Sequence, residues 1–288
     1  MPDLASQIPA LATATWLLVA VGAFVVGLSK TAMPGGGTIA VGLFALALPA
    51  KESTAALLLL LMVGDATALW VYRREPDVRT LVRLIPSVLI GVVLGTIFFA
   101  TVGGETVRTT IGVILLALIA VTVWRRRAAR IKALAPEAAQ PSAGETGTGA
   151  AATSSAEDHP ARTQPPPSRL STALSRAAYG ALGGFTTMVA NAGGPVMSMY
   201  FYAMRMPVLT FLGTSAWFFA IVNVLKLPFS AGLGLITRDT LVMDVMLVPI
   251  VLIGAFCGAK IARRIPQRVF ETAVLVLTVG SALALLLI

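Results

Sequence analysis

Histidine and cysteine are nearly missing from this chain: 288 residues hold one of each, His159 and Cys257. A lone cysteine excludes an internal disulfide framework and any multi-cysteine metal site. His159 falls in a polar stretch outside every apolar run, so a histidine-based zinc site or proton relay inside a membrane is excluded as well. Charge is scarce too. Asp, Glu, Lys and Arg make up 12% of the residues, against 57% hydrophobic, where a soluble domain carries roughly 25% charged. With a mean hydropathy of +0.86, a soluble fold would expose several membrane-length apolar runs to water, which water does not tolerate. No GxxxxGK[ST] phosphate loop occurs, so no ATP site of that kind and no cofactor is expected. The first apolar segment lacks a basic leader and a small-residue cleavage motif, so no removed signal peptide is expected.

What the chain does have is ten apolar segments. Five span roughly 11–33, 37–49, 53–72, 80–101 and 105–124, and five more span 172–190, 194–206, 208–228, 240–261 and 267–288. Between them, residues 125–170 are rich in Ala, Pro, Ser, Gly and Thr and nearly free of large apolar side chains. Such a composition cannot bury a core and predicts a disordered cytoplasmic linker. The expected division is therefore a first membrane repeat over 1–124, the linker over 125–170 and a second repeat over 171–288.

The halves resemble each other in order. Gly36-Gly37 aligns with Gly193-Gly194 at an offset of 157, which also carries Gly27 to Gly184 and Ser29 to Thr186. Pro49 meets Pro207 and Asp65 meets Asn223 at 158, and "PSVLIGVVLG" (86–95) meets "PIVLIGAFCG" (249–258) at 163. Ordered self-similarity of this kind is the trace of an internally duplicated transporter.

Charge sets the orientation. The net +9 resides in short clusters between apolar runs, the positive-inside pattern, so nucleic acid is not an expected partner. Arg73, Arg74, Arg79 and Arg83 mark the third-to-fourth loop as cytoplasmic, and Arg125, Arg126, Arg127, Arg130 and Lys132 mark the end of the fifth segment likewise. In the second half the basic cluster moves one loop on, to Lys260, Arg263, Arg264 and Arg268. Equivalent loops then face opposite sides. The expected fold is an all-α integral membrane protein of two inverted-topology repeats, each about three full spans plus a glycine-rich broken or re-entrant helix pair. Both termini would be extracytoplasmic, in a cell membrane. Trp16, Trp70, Trp124, Tyr72 and Tyr179 lie near segment ends as interface anchors, and Lys226 is expected at an interface too.

Two stretches break the hydrocarbon pattern: "GLSKTAMPGGGTIAVG" (27–42) and "GFTTMVANAGGPVMSM" (184–199). A helix from Thr38 to Leu48 rises only about 16 Å, half of a roughly 30 Å hydrocarbon core. A half-length helix preceded by Pro34, Gly35, Gly36 and Gly37 begins deep in the membrane, where non-helical backbone survives only inside protein or beside a wet cavity. Its free N–H groups and positive dipole end favour an anion, glycine lets the ligand reach the backbone, and hydroxyls add neutral donors. The candidate binding residues are Ser29, Lys30, Thr31, Gly35, Gly36, Gly37 and Thr38 in the first half. Thr186, Thr187, Asn191, Gly193 and Gly194 are their counterparts in the second. Small residues also serve as packing seams between helices, and Lys30 could instead reach an interface by snorkelling. Asp65 and Asn223 stand at equivalent places, either as coupling groups or as a polar brace with Asp65 paired to Lys30.

These stretches carry a resemblance. "GLSKTAMPGGGTIAVGLFALALP" with "STAALLLLLMVGDATALWVYRR", and "GGFTTMVANAGGPVMSMYFYAMRMP" with "FLGTSAWFFAIVNVLKLP", resemble the sulfite exporter TauE/SafE family over essentially the whole chain apart from the linker. The resemblance implies a multi-pass permease, generally exporting small sulfur-containing anions such as sulfite, sulfonates or sulfoacetate. A related thiosulfate-uptake family works through membrane cysteines, chemistry that a single Cys257 does not support. The expected function is thus secondary transport of a small anion by alternating access, with the lipid bilayer as the other partner and a homo-oligomer compatible with the sequence. The competing classes are a non-transporting assembly protein, with the hairpins as packing devices, and a membrane-embedded enzyme. The enzyme class would need several polar catalytic groups converging at one depth, where this chain sets one carboxylate, Asp65, against the glycine stretches and has no membrane histidine.

Overall fold

A computed structural model describes residues 11–32, 37–72, 76–134, 169–204 and 206–261. All regular structure in them is helical: α1 (Thr13–Ala32), α2 (Gly37–Ala47), α3 (Ala50–Tyr72), α4 (Val78–Thr101), α5 (Gly104–Leu134), α6 (Arg169–Ala190), α7 (Gly193–Ala203), α8 (Val208–Gly232) and α9 (Arg238–Ile261). Six of these are long and apolar enough to cross a membrane: α1, α3, α4, α8, α9 and the first 18 residues of α5. The protein is an all-helical integral membrane protein. The expected tenth segment, 267–288, lies outside the described residues, as do linker residues 135–168, while the linker's last two residues, Arg169 and Leu170, begin α6.

The helices form where the hydrocarbon runs are, with two instructive differences. Helix α5 continues past 124 through Arg125–Lys132 to Leu134, because Ala, Arg and Lys are good helix formers whether or not they suit lipid. Helices α4, α8 and α9 run straight through Pro86, Pro228 and Pro249. Proline is tolerated inside membrane helices when neighbours satisfy the freed carbonyl. Large apolar side chains recur on the outer faces of α4 (Val82, Leu89, Ile90, Val93, Ile97) and α9 (Val245, Leu252, Ile253, Phe256). That is the surface expected of helices solvated by lipid tails.

The two short helices fold back along the long helices that precede them. A Cβ at Gly22 would press on Phe44, and one at Gly37 would touch the Ser29 hydroxyl, so α2 runs antiparallel to α1. In the same way a Cβ at Gly183 would press on Met197 and one at Gly193 on Thr187, so α7 returns along α6. Each short helix has 11 residues, about 16 Å at 1.5 Å per residue. Helix α1, with 20 residues, is about 30 Å long. The first pair is therefore one full-length arm and one half-length arm.

Between the halves the packing is exchanged. Helix α1 packs on α9, and α4 packs on α6. Both seams are closed by glycine at backbone contact. A Cβ on Gly27 would collide with the carbonyl of Val251, and one on Gly254 with the carbonyl of Phe24. On the other seam Gly184 faces the carbonyl of Val88, and Gly91 that of Ala181. Close approach of this sort supplies van der Waals contact where lipid removes the hydrophobic drive for helix association. Helices α3 and α8 cross between the seams.

Candidate functional site

The polar residues of the two halves meet on that α3–α8 crossing. Asp65 of α3 is 2% exposed. Its Oδ1 pairs with the Lys30 ammonium of α1, and its Oδ2 accepts from Asn223 Nδ2 of α8 at 2.6 Å. Lys30 also lies 5.0 Å from the centre of the Phe219 ring, a cation–π contact. The Asn223 amide turns its oxygen to Lys226 Nζ, 3.4 Å away. Lys226 in turn donates to Asn191 Oδ1 and reaches Thr187 Oγ1 at 3.5 Å. One polar chain thus runs from α1 through α3 and α8 to the α6–α7 junction.

The junction is built for this. Asn191 adopts φ 49°, a left-handed conformation that asparagine tolerates better than most residues. Its Nδ2 donates 2.9 Å to the carbonyl of Thr54 in α3, which anchors the break in the second half to the first. Gly193 follows because a Cβ there would press on Thr187 and the Gly183 carbonyl. The matching connection in the first half, which contains Gly35 and Gly36, lies outside the described residues.

Beside the chain is a cavity of about 70 Å³, room for a small anion or roughly five waters at 10–15 Å³ each. Its wall takes Ser29, Lys30, Gly37 and Thr38 from the first glycine stretch and Thr187, Asn191 and Gly194 from the second. Asp65 and Asn223 add to the polar part, and Leu61, Ala68, Leu212, Ala216 and Phe219 are among its apolar residues. Tyr72 also lines it, its hydroxyl donating 3.2 Å to the carbonyl of Thr31.

Three expected residues stand elsewhere. Thr31, one position and about 100° around the helix from Lys30, faces α9, where its hydroxyl donates 2.8 Å to the Ala255 carbonyl. The Thr186 hydroxyl turns back onto its own helix, 2.8 Å from the Leu182 carbonyl. Gly193 serves the backbone approach to Thr187 and is not part of the wall. The larger correction is Lys226. It is 0% exposed, in the middle of the polar chain, and does not stand at an interface. Helix α8 runs to Gly232, so Lys226 is well inside the span, and its three oxygen partners replace the water it lacks. A second residue absent from the expectation is Ser215, which lines the cavity from α8. The signal for both was present: Ser215, Phe219, Asn223 and Lys226 recur at helical spacing and share one face.

Among the described residues no cluster of metal-ligating side chains occurs. The cavity has the volume and the polar lining for a small polar solute. No curated protein and no solved structure matches the chain. Both glycine stretches that wall the cavity, and the α3–α8 crossing that carries its charges, fall within residues 18–285, which match the profile of the sulfite exporter TauE/SafE, and the chain belongs to that family.

Proposed function

We propose that the protein is a secondary transporter that exports small sulfur oxyanions, sulfite or sulfonates, by alternating access around the cavity between α2 and α7. The observation that carries this reading is the wall of that cavity: residues from both glycine stretches, with Lys30 in it and Lys226 behind it, inside a membrane-spanning bundle. Family membership supplies the substrate class. An enzyme would need a set of reacting groups at the cavity, and its one carboxylate is held by Lys30 and Asn223.

Inverted halves are supported by the direction of the contacts. Helices α1 and α9 advance together, as do α4 and α6, while short connections reverse α3 into α4 and α8 into α9. The side chains of Asp65 and Asn223, equivalent in the two halves, touch each other, as residues near a two-fold axis do. Rocking one half against the other would then expose the cavity to each side in turn. Export of a monovalent anion from a negative interior is favoured by about 2.3 kcal/mol per 100 mV without a coupling ion. On this reading the basic loop at 73–79 and the linker face the cytoplasm and both termini face outside, because arginine and lysine cluster in that loop and at the start of the linker.

The test is anion efflux from proteoliposomes loaded with sulfite, methanesulfonate or sulfoacetate. Flux is expected for at least one, and a Gly36→Val/Gly194→Val variant should insert normally and carry none. Flux by that variant at the wild-type rate would remove the glycine stretches from the site. No flux of any of the three anions by the wild type would refute the function.

A further inference from the structure

Resting on the transport reading, the charge count around the cavity says which anions fit. Lys30 is already paired with Asp65. Lys226 is a fully buried amine whose hydrogen-bond partners among the described residues are all neutral: Asn191 Oδ1, Asn223 Oδ1 and Thr187 Oγ1. The amide orientations follow from what lies behind them. Asn223 must turn its nitrogen to the Asp65 carboxylate, and Asn191 its nitrogen to the Thr54 carbonyl, because both of those groups only accept. Both amide oxygens therefore face Lys226. Three acceptors around one nitrogen suit an ammonium with three protons, not an amine with a lone pair. The buried set of Lys30, Asp65 and Lys226 then sums to one positive charge.

Two hydroxyls point to the same ligand. Thr187 accepts from Lys226, and its own proton finds no acceptor among the described residues, on a side chain that lines the cavity. Ser215, also in the wall, is 4% exposed, and its Oγ has no hydrogen-bond partner among the described residues. An unpartnered buried hydroxyl costs stability, and in a native structure calls for an explanation. A bound oxyanion supplies one.

We infer that the cavity selects monovalent oxyanions, with Lys226 supplying the uncompensated positive charge from behind the wall and Ser215 and Thr187 donating to the anion's oxygens. One negative charge makes the assembly neutral. Two would leave a net negative charge in a low-dielectric interior, which is costly. Lys226 is a positioning residue here: it sets the local field and holds Thr187, Asn191 and Asn223 in place.

Methanesulfonate and sulfate are close in size and shape and differ by one charge, so their binding to the purified full-length protein, by titration calorimetry at fixed ionic strength, isolates valence. The wild type should bind methanesulfonate at least about tenfold more tightly than sulfate. Ser215→Ala, a small change, should weaken methanesulfonate about tenfold, the size of one lost hydrogen bond to a charged group. Lys226→Gln, which lowers the net charge, should weaken both anions but sulfate more, raising the methanesulfonate-to-sulfate preference, whereas Asp65→Asn, which raises the net charge, should shift the preference toward sulfate and leave sulfate binding stronger than in the wild type. A merely structural role for either residue would leave that preference unmoved. Equal binding of the two anions by the wild type, or unchanged methanesulfonate affinity in Ser215→Ala, overturns the inference while efflux of sulfite from proteoliposomes still upholds transport. No binding and no efflux of any of these anions overturns both.

Discussion

Removing either partner of the Lys30–Asp65 pair should harm the fold more than removing both. Asp65→Leu leaves the Lys30 ammonium facing apolar surroundings, and it strips Asn223 Nδ2 of its acceptor. Breaking one side of a buried pair costs about 3–5 kcal/mol. The Lys30 side chain is 14% exposed, so the low end applies, roughly 3 kcal/mol. The orphaned amide adds about 1 kcal/mol or more. Lys30→Met leaves the carboxylate with its Asn223 bond alone and should cost about 3 kcal/mol. The double variant buries two apolar side chains of fitting size and retains only the orphaned amide, a loss of about 1–3 kcal/mol. A double-mutant cycle should therefore show a coupling of about 4 kcal/mol or more, whereas independent sites add within about 0.5 kcal/mol. Equilibrium unfolding of the purified protein in mixed micelles measures all four corners. Additive single variants, or singles as stable as the wild type, would refute a coupled buried pair and return Lys30 to a snorkelling role.

Two further predictions concern parts of the fold away from the cavity. Gly91→Ala and Gly254→Ala each drive a Cβ into a backbone carbonyl, of Ala181 and Phe24 respectively, and should cost about 1–3 kcal/mol or more each; Gly232→Ala, with nothing within 4 Å, should be neutral or slightly stabilising. Wild-type thermostability in either of the first two, followed by size-exclusion after heating, would show that the helix seams are looser than described. At the mouth of α4, Asp77 caps the helix: Oδ1 accepts from Thr80 N at 3.0 Å and Oδ2 from the Thr80 hydroxyl at 2.7 Å. The Thr80 hydroxyl, and then its amide, hold the carboxyl below its usual range. A depressed folded value means the cap stabilises above the unfolded carboxylate value of about 3.9 and is lost as pH falls through the folded one. Asp77→Ala should cost about 1 kcal/mol at neutral pH, and Asp77→Asn should keep most of the cap while flattening the acid limb of the stability profile; an unchanged acid limb in Asp77→Asn would exclude the cap as its source.

Hydropathy made the helices legible because lipid imposes one rule on every span. The apolar runs at 53–72 and 80–101 correspond to α3 (Ala50–Tyr72) and α4 (Val78–Thr101) within three residues. The same rule fails where it ceases to apply. Helix α5 runs on to Leu134 through arginines that hydropathy reads as loop, and α8 passes Pro228, where a break looked natural. The glycine stretches were legible because their composition contradicts their surroundings. Which neighbour each residue faces was not. Ser29, Lys30 and Thr31 are consecutive, yet the first two line the cavity and the third seals the α1–α9 seam. Only the position of α9, brought in from more than 200 residues away, decides that.

Self-similarity reveals a shared scaffold more readily than a shared chemistry, and here the two have parted. The glycines that close the seams stand in matched pairs, Gly27 with Gly184 and Gly91 with Gly254, because backbone contact between helices admits little else. The charges do not match. At the offsets of 157 and 158, Lys30 answers to Thr187, Asp65 to Asn223, and Lys226 to Ala68. Looking for repeated residues therefore finds the hairpins and passes over Lys226, whose counterpart is an alanine in the cavity wall. The consequence is physical. A cavity between two similar halves holds its ion pair on the α1–α3 side and its unpaired cation, backed by Thr187 and Asn191, on the α6–α8 side. On the proposed reading, an anion bound there would be drawn off the midline toward the second half, because the lysine of the first half is neutralised by Asp65.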